Sequence, residues 1–270
     1  RMMYEDYARV DAVNASTLKE IIKSPRHYQY LLQHPKPATP AMLLGTATHL
    51  AVLEPGAFDS QYIRRPDGIK FTTADGKAWR DEQIARGLAI LDGDDYDAIL
   101  AMRESLMQNP RCAELLTAPG DVEKSISWTD PDTGIKCKGR PDKFLHCGIL
   151  LDLKTTKDVR PYPFTKTVMN FGYAFSMSFY VDGLRANGRE VKDVYLPAVE
   201  SLAPHDCAAY RMTDELLDYG RAEYKQALAT LAECRKTGNW PGVVVGEMDL
   251  ELPRWAAQDD DTEATIEVIE

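Results

Sequence analysis

The spacing of apolar positions changes along the chain and divides it into stretches. Leu18, Ile21 and Ile22 recur at helical intervals behind the polar run Asn14-Ala-Ser-Thr, in which Asn14 or Ser16 can cap a helix. Ser24-Pro25 ends that helix and opens a second one through Tyr28, Leu31 and Leu32. A proline-rich connection, His34 to Pro40, leads to A-M-L-L-G-T-A-T-H-L-A-V-L-E-P at 41–55. This stretch predicts a buried helix with Gly45, Ala47 and Thr48 on one side and His49 in its middle, stopped at Pro55-Gly56. Y-I-R-R-P, from Tyr62, predicts a short strand, and helices follow over 77–86, 94–109 and 111–117. The period then falls to two. Val122 to Trp128 alternates as a strand, Asp130-Pro-Asp-Thr-Gly134 is a tight turn, and Ile135 to His146 returns as the hairpin partner. Gly148 leads into a third strand, Ile149 to Thr155, so three successive, mostly antiparallel strands are expected. Beyond Pro161 and Pro163 the pattern predicts one long helix over 165–185, a strand over 191–199, and a helix capped by Thr213 and running to Lys236. Trp240-Pro-Gly-Val closes the fold. With no internal repeat and no linker, the reading is one α/β domain over 1–257 with a helical N-terminal elaboration, and a disordered acidic tail over 258–270.

Charge sharpens this division. The 270 residues carry a formal net charge of -10, which by itself argues against a nucleic-acid partner. Six of the acids (Asp259, Asp260, Asp261, Glu263, Glu267, Glu270) lie beyond Trp255, where there is no Lys or Arg. Between Lys136 and Lys166, eight Lys and Arg face three Asp. The basic density therefore surrounds the predicted hairpin and third strand. No apolar run approaches the roughly 20 residues of a membrane span, so no membrane partner is expected. The five cysteines, 112, 137, 147, 207 and 234, are odd in number and form no C-x-x-C pair, which points to a reducing cytoplasm rather than a disulfide framework.

Candidate chemistry concentrates in the same place. Asp152 and Lys154 are two apart, so a strand points both to one face, and Leu150, Leu151 and Leu153 mark that strand as buried. A buried carboxylate and ammonium are costly unless they pair or bind a metal. Together with Pro141-Asp142 the residues read P-D-x9-D-x-K. Two carboxylates on adjacent strands can converge on a divalent ion such as Mg²⁺, which takes hard oxygen ligands, and the Leu153 carbonyl is a further candidate ligand. Such an ion lowers the pKa of water, and Lys154 beside it can orient or deprotonate that water or steady charge on a phosphate, a set suited to phosphodiester hydrolysis. D-x-K alone is weak, because it also describes an ordinary salt bridge between Asp152 and Lys154. A lone helical histidine is equally ordinary, although the small residues before His49 allow close approach to another backbone, and imidazole suits Mn²⁺ better than Mg²⁺.

The ordered set G-T-A-T-H, G-R-P-D and L-D-L-K-T-T, followed by a helix with a tyrosine, resembles the PD-(D/E)XK nucleases of the RecB type, and within them the exodeoxyribonuclease VIII (RecE) type. The likeness spans about Ser16 to Trp255 and includes S-P-R-H-Y at 24, G-K-A-W at 76, and the late W-P and L-P-R-W-A. It implies a restriction-endonuclease-like core, a mixed central sheet flanked by helices. It implies that His49, Asp142, Asp152 and the carbonyl of Leu153 hold Mg²⁺, with Mn²⁺ as a substitute, and that Lys154 is the catalytic lysine. Glu123 would match an acidic residue that aids a second metal or positions water, and is otherwise an ordinary strand glutamate. Tyr180 would match the tyrosine of the family's Q-x-x-x-Y helix, whose glutamine position holds Ser176 here. By the same resemblance the activity is 5′-to-3′ degradation of linear double-stranded DNA, leaving a 3′ single strand. The implied partners are a single-strand annealing recombinase and further copies in a ring-shaped homo-oligomer, a tetramer. A basic lumen would reconcile an acidic subunit with DNA, and Arg64, Arg65, Lys70, Lys157, Arg160 and Lys166 are the candidate phosphate contacts. Other readings are a PD-(D/E)XK nuclease of different polarity or substrate, a non-catalytic DNA-binding module of nuclease fold, and an acidic scaffold.

Overall fold

The structure is a computed structural model that describes Tyr7 and residues 9–252. The expected acidic tail lies outside the described residues. Asn14 caps α1 (Ala15–Leu18) by accepting from the Thr17 N–H, and α2 (Glu20–Lys23) follows almost directly. Ser24 caps α3 (Pro25–Gln33), with Pro25 in its first turn. Leu18, Ile21 and Tyr28 on these helices are buried in the same cluster as Tyr224, Leu228 and Leu231 near the end of the chain.

The apolar stretch with His49 forms α4 (Pro40–Leu53). Pro55 ends it as expected and also opens a short α5 (Pro55–Gln61), because a proline needs no N–H partner at a helix start. Strand β1 (Tyr62–Arg64) pairs in parallel with β2 (Ala89–Leu91), beyond α6 (Ala74–Ala85). β2 has no sequence signal, since three residues between helices show no alternation. Next come α7 (Gly93–Gln108) and α8 (Pro110–Thr117), within a few residues of their predicted bounds.

Each of the three strands predicted next is broken in two. Residues 122–128 divide into β3 (Gly120–Val122) and β4 (Ile126–Thr129) at Glu123, whose φ is 49°. Residues 135–146 divide into β5 (Lys136–Gly139) and β6 (Lys143–Leu145) around Pro141. Residues 149–155 divide into β7 (Ile149–Leu151) and β8 (Lys154–Thr156) at Asp152-Leu153. The hairpin β4–β5 is its own small sheet, as the turn at 130–134 predicts, while β3 and β6 belong to the main one. The predicted long helix is also two, α9 (Pro161–Asn170) and α10 (Tyr173–Ala186), separated by Phe171 and by Gly172 at φ 60°. After β9 (Asp193–Glu200) and β10 (Cys207–Arg211), Thr213 caps α11 (Asp214–Thr237) as expected.

The main sheet runs β10-β9-β7-β6-β3, and β8 also pairs with β9. It is mixed: β7 and β8 lie parallel to β9, and the other pairings are antiparallel. Leu150, Val194 and Leu196 face α9 and α10, where Phe164, Met177 and Val181 cover them. Leu153 and Val199 face the opposite layer, built from α4, α7 and α8. The sheet is thus buried on both sides, which explains the nearly continuous apolar run Ile149–Leu153.

Candidate active site

The break between β7 and β8 is the centre of the site. The register on β9 is the same on both sides of it, Leu151 opposite Tyr195 and Lys154 opposite Ala198. The gap faces Pro197, which has no N–H to give to a ladder. Freed from regular pairing, the Leu153 N–H donates to Oδ2 of Asp142 at 2.7 Å. The strand end before β6 and the break in β7–β8 are therefore tied together through a carboxylate.

His49 reaches the same carboxylate from the helical layer, with Nδ1 3.2 Å from Asp142 Oδ2. The small residues of α4 permit this approach: a side chain grown on Gly45 would already touch Thr155 of β8, at 3.5 Å. Burial pushes the Asp142 carboxyl upward, but His49, Lys154 and the Leu153 N–H hold it below the ordinary carboxylate value. Asp152 is 5% exposed and pairs with the Lys154 ammonium. The contact is to its buried Oδ2. The Lys154 ammonium also lies 4.7 Å from the centre of the Tyr173 ring, and burial lowers its pKa, with Asp142 opposing.

Glu123 is not a strand residue. Its N–H donates to the Asp142 carbonyl at 2.8 Å, and its carboxylate lies 2.8 Å from Nε of Arg140. The positive φ at Glu123 and the arginine clasp bring the ends of β3 and β5 around Asp142. Tyr180 packs close against the backbone of β5, where a side chain on Gly139 would collide with its ring at 2.9 Å. Burial, with Tyr7, Asp142 and Glu123 adding to it, raises the Tyr180 hydroxyl pKa, so the group is a neutral donor beside the acids.

Asp142, Asp152, Lys154 and His49 are thus assembled from two strand breaks and a helix, with Glu123 and Tyr180 around them. Among the described residues no three His, Cys, Asp or Glu side chains close into a metal-sized cluster: His49 faces Asp142, and Asp152 faces Lys154. The donor set nevertheless fits a hard divalent cation, because it offers two withdrawn carboxylates and an imidazole. The group that Leu153 contributes to the observed network is its N–H.

The expected phosphate contacts divide. Arg64 is held by Asp97 at 2.8 Å and Asp67 at 3.0 Å, and Arg65 by Asp92 at 3.0 Å, all around the β1–β2 sheet together with Lys70. Arg160 pairs with Asp158 at 2.6 Å. Lys157 and Lys166 are exposed just beyond β8, Lys166 over the Tyr162 ring. Sequence reasoning missed Tyr173, on whose ring the Lys154 ammonium rests. The signal for Tyr173 was its place one turn before Ser176, on the helix already singled out.

Residues 14–251 match the model of a family described as a PDDEXK-like domain of unknown function, DUF3799. The chain belongs to this family. The PD-(D/E)XK resemblance read from the motifs is thereby shown, and the mixed sheet between helical layers is the corresponding fold. This DUF3799 chain superimposes on a candidate exonuclease from Eubacterium rectale with a TM-score of 0.65 at 13% identity, covering 94% of this chain and 96% of the other. At that identity the shared property is the fold. A phage-related exonuclease from Haemophilus somnus aligns at 12% identity over 84% of this chain and 96% of that one, with a TM-score of only 0.32. No curated protein matches this DUF3799 chain in sequence. Among the described residues no helix is long and apolar enough to cross a membrane.

Proposed function

We propose that this protein is a Mg²⁺-dependent exodeoxyribonuclease that degrades linear duplex DNA from 5′ ends and leaves 3′ single strands for annealing. The observation that carries the nuclease reading is the convergence of Asp142, Asp152, Lys154 and His49 at the interrupted β7–β8 strand, inside a PD-(D/E)XK fold. The 5′ polarity, the ring-shaped tetramer and the annealing partner rest on the likeness to the exodeoxyribonuclease VIII type.

Asp142, Asp152 and His49 would hold the cation. It supplies Lewis-acid stabilisation of phosphate charge. The protein's own residues do the rest. The Leu153 N–H and His49 fix the orientation of Asp142, so its outer lone pairs are presented without rotamer freedom. Lys154, braced by Asp152 and the Tyr173 ring, orients the attacking water and steadies charge developing on the phosphate. Tyr180, neutral and donating, stands beside the acids as a contact for a phosphate oxygen.

The test is digestion of linear duplex DNA carrying a 5′ or a 3′ label, with Mg²⁺, by the wild-type chain and by Asp152→Asn. Release of 5′ label by the wild type and its loss by at least about 10³-fold in the variant are expected. Equal activity of the two would sink the nuclease assignment. Release from the 3′ label alone would keep the nuclease and overturn its polarity.

A further inference from the structure

The turn between α9 and α10 brings together three groups, of which the cleavage site uses only Tyr173. Phe171 lies there 63% exposed, in a chain whose other phenylalanines include the fully buried Phe58, Phe175 and Phe179. A single exposed aromatic is ordinary. This one is backed by a second ring: Phe171 and Tyr173 stack with centroids 5.9 Å apart and planes 19° from parallel. Tyr173 in turn is the ring against which the Lys154 ammonium rests at 4.7 Å. A continuous path of aromatic faces therefore leads from the solvent-exposed Phe171 to the catalytic lysine.

The third group is Lys19, which follows α1 in the N-terminal elaboration. Its ammonium donates to the Phe171 carbonyl at 2.9 Å. Gly172 makes this approach possible, since a side chain there would meet the Lys19 stem at 3.2 Å, and its φ of 60° suits glycine. Burial, with the Lys154 charge adding to it and Glu223 opposing, brings the Lys19 pKa down to about 8. A lysine ammonium has three donors, and the Phe171 carbonyl takes one of them.

An exposed π-face beside an anchored cation matches one ligand chemistry, a nucleobase with its adjoining phosphate. We propose that Phe171, backed by Tyr173, and Lys19 form a stacking-and-phosphate site that receives the unpaired end of the DNA strand entering the Asp142–Asp152–Lys154 centre. The site deepens the nuclease reading, on which its orientation rests. Phe171 holds the terminal base out of the duplex stack, and Lys19 takes a phosphate one step along the same strand. Phe171 and Lys19 are positioning residues, because neither touches the reacting phosphate.

The test separates binding from cleavage. Affinity for a short fluorescent single-stranded oligodeoxynucleotide is measured in EDTA, where no cation supports cleavage. Phe171→Ala should weaken binding about tenfold, the loss of roughly one base stack. Phe171→Trp should bind as wild type, with its added indole fluorescence quenched by the oligonucleotide, while Phe171→Leu should bind as Ala. Lys19→Ala should weaken binding and lower the slope of log K against log salt by about 0.7, and Lys19→Arg should restore both. Phe171 is in the exposed turn and the half-buried Lys19 packs against it from the end of α1, so the rescuing variants control for folding. Undiminished binding by Phe171→Ala, leucine substituting for tryptophan, or no oligonucleotide binding by the wild type would overturn the site. If Phe171-dependent binding is found but Mg²⁺ supports no cleavage, the nuclease reading fails and the binding site stands. If Asp152→Asn abolishes cleavage and Phe171→Ala binds as wild type, the reverse holds.

Discussion

Lys138 on β5 and Lys154 on β8 lie near opposite ends of one short stretch of chain, and burial lowers the pKa of both ammonium groups. Their partners differ in kind. Lys138, 5% exposed, donates to the carbonyls of Tyr7 at 2.9 Å and Val10 at 2.8 Å. Lys143 on β6, between them, is similar, with its ammonium 2.6 Å from the Leu116 carbonyl. These two charges are satisfied by backbone dipoles and act as ties: Lys138 fastens the N-terminal segment, which also bridges β5 at Val13, and Lys143 fastens the end of α8 to the sheet. Lys138 and Lys154 each also lie over a tyrosine ring, Tyr7 at 4.8 Å and Tyr173 at 4.7 Å, but Lys154 faces a carboxylate at a strand break. Burial of a charge therefore does not mark function by itself. The mark is a buried charge whose partners are other ionisable groups that a ligand can rearrange.

The comparison can be broken from either side. The largest effect expected is on Lys154→Ala, which should cut cleavage of duplex DNA by about 10³-fold in steady-state assays while DNA affinity in EDTA is kept. A collapse of DNA binding would make Lys154 a tie like the other two. Lys138→Met should do the opposite. Denaturant unfolding should show a loss of about 2 kcal/mol, because buried carbonyls lose their donor, with the cleavage rate per folded molecule unchanged. A cleavage defect without a stability defect would erase the distinction.

The smallest effect is a pH dependence. Burial places the folded-state pKa of Lys143 below its ordinary 10.5. Between those two values the unfolded chain holds a proton that the folded chain has released, so stability rises with pH across that window. Lys143→Met has no such group. The stability of wild type relative to this variant should grow as pH is raised from neutrality towards 10.5, measured by urea unfolding at each pH. A constant difference would show that the Leu116 carbonyl fully compensates the burial.

Much of the fold was legible because it depends on local chemistry. Asn14, Ser24 and Thr213 cap helices where the sequence places them, and the turn at 130–134 closes its hairpin. The breaks were not legible. Val122 to Trp128 reads as one alternating strand, yet it breaks at Glu123, whose φ is 49° and whose N–H still donates, in the β3–β6 register, to the Asp142 carbonyl nineteen residues later in the chain. The run Ile149–Thr155 reads as one strand, and its interruption lies opposite Pro197, which no local pattern connects to it. In one dimension Arg64 and Arg65 are candidate phosphate contacts, and in three they are matched by Asp97, Asp67 and Asp92.

The sequence by itself determined the identities of the candidate site groups: two aspartates, a lysine and a histidine in ordered motifs, with apolar runs that require a buried sheet. That information is one-dimensional because it concerns residue type and period. Only the tertiary structure decided how these groups meet. It turns Asp152 to Lys154 and His49 to Asp142, spends the Leu153 N–H on a carboxylate, and stacks Phe171 on Tyr173, whose ring meets Lys154. The physical reason is that hydrogen bonds and charges are satisfied by whatever lies nearest in space, and for buried groups that neighbour comes from a distant part of the chain.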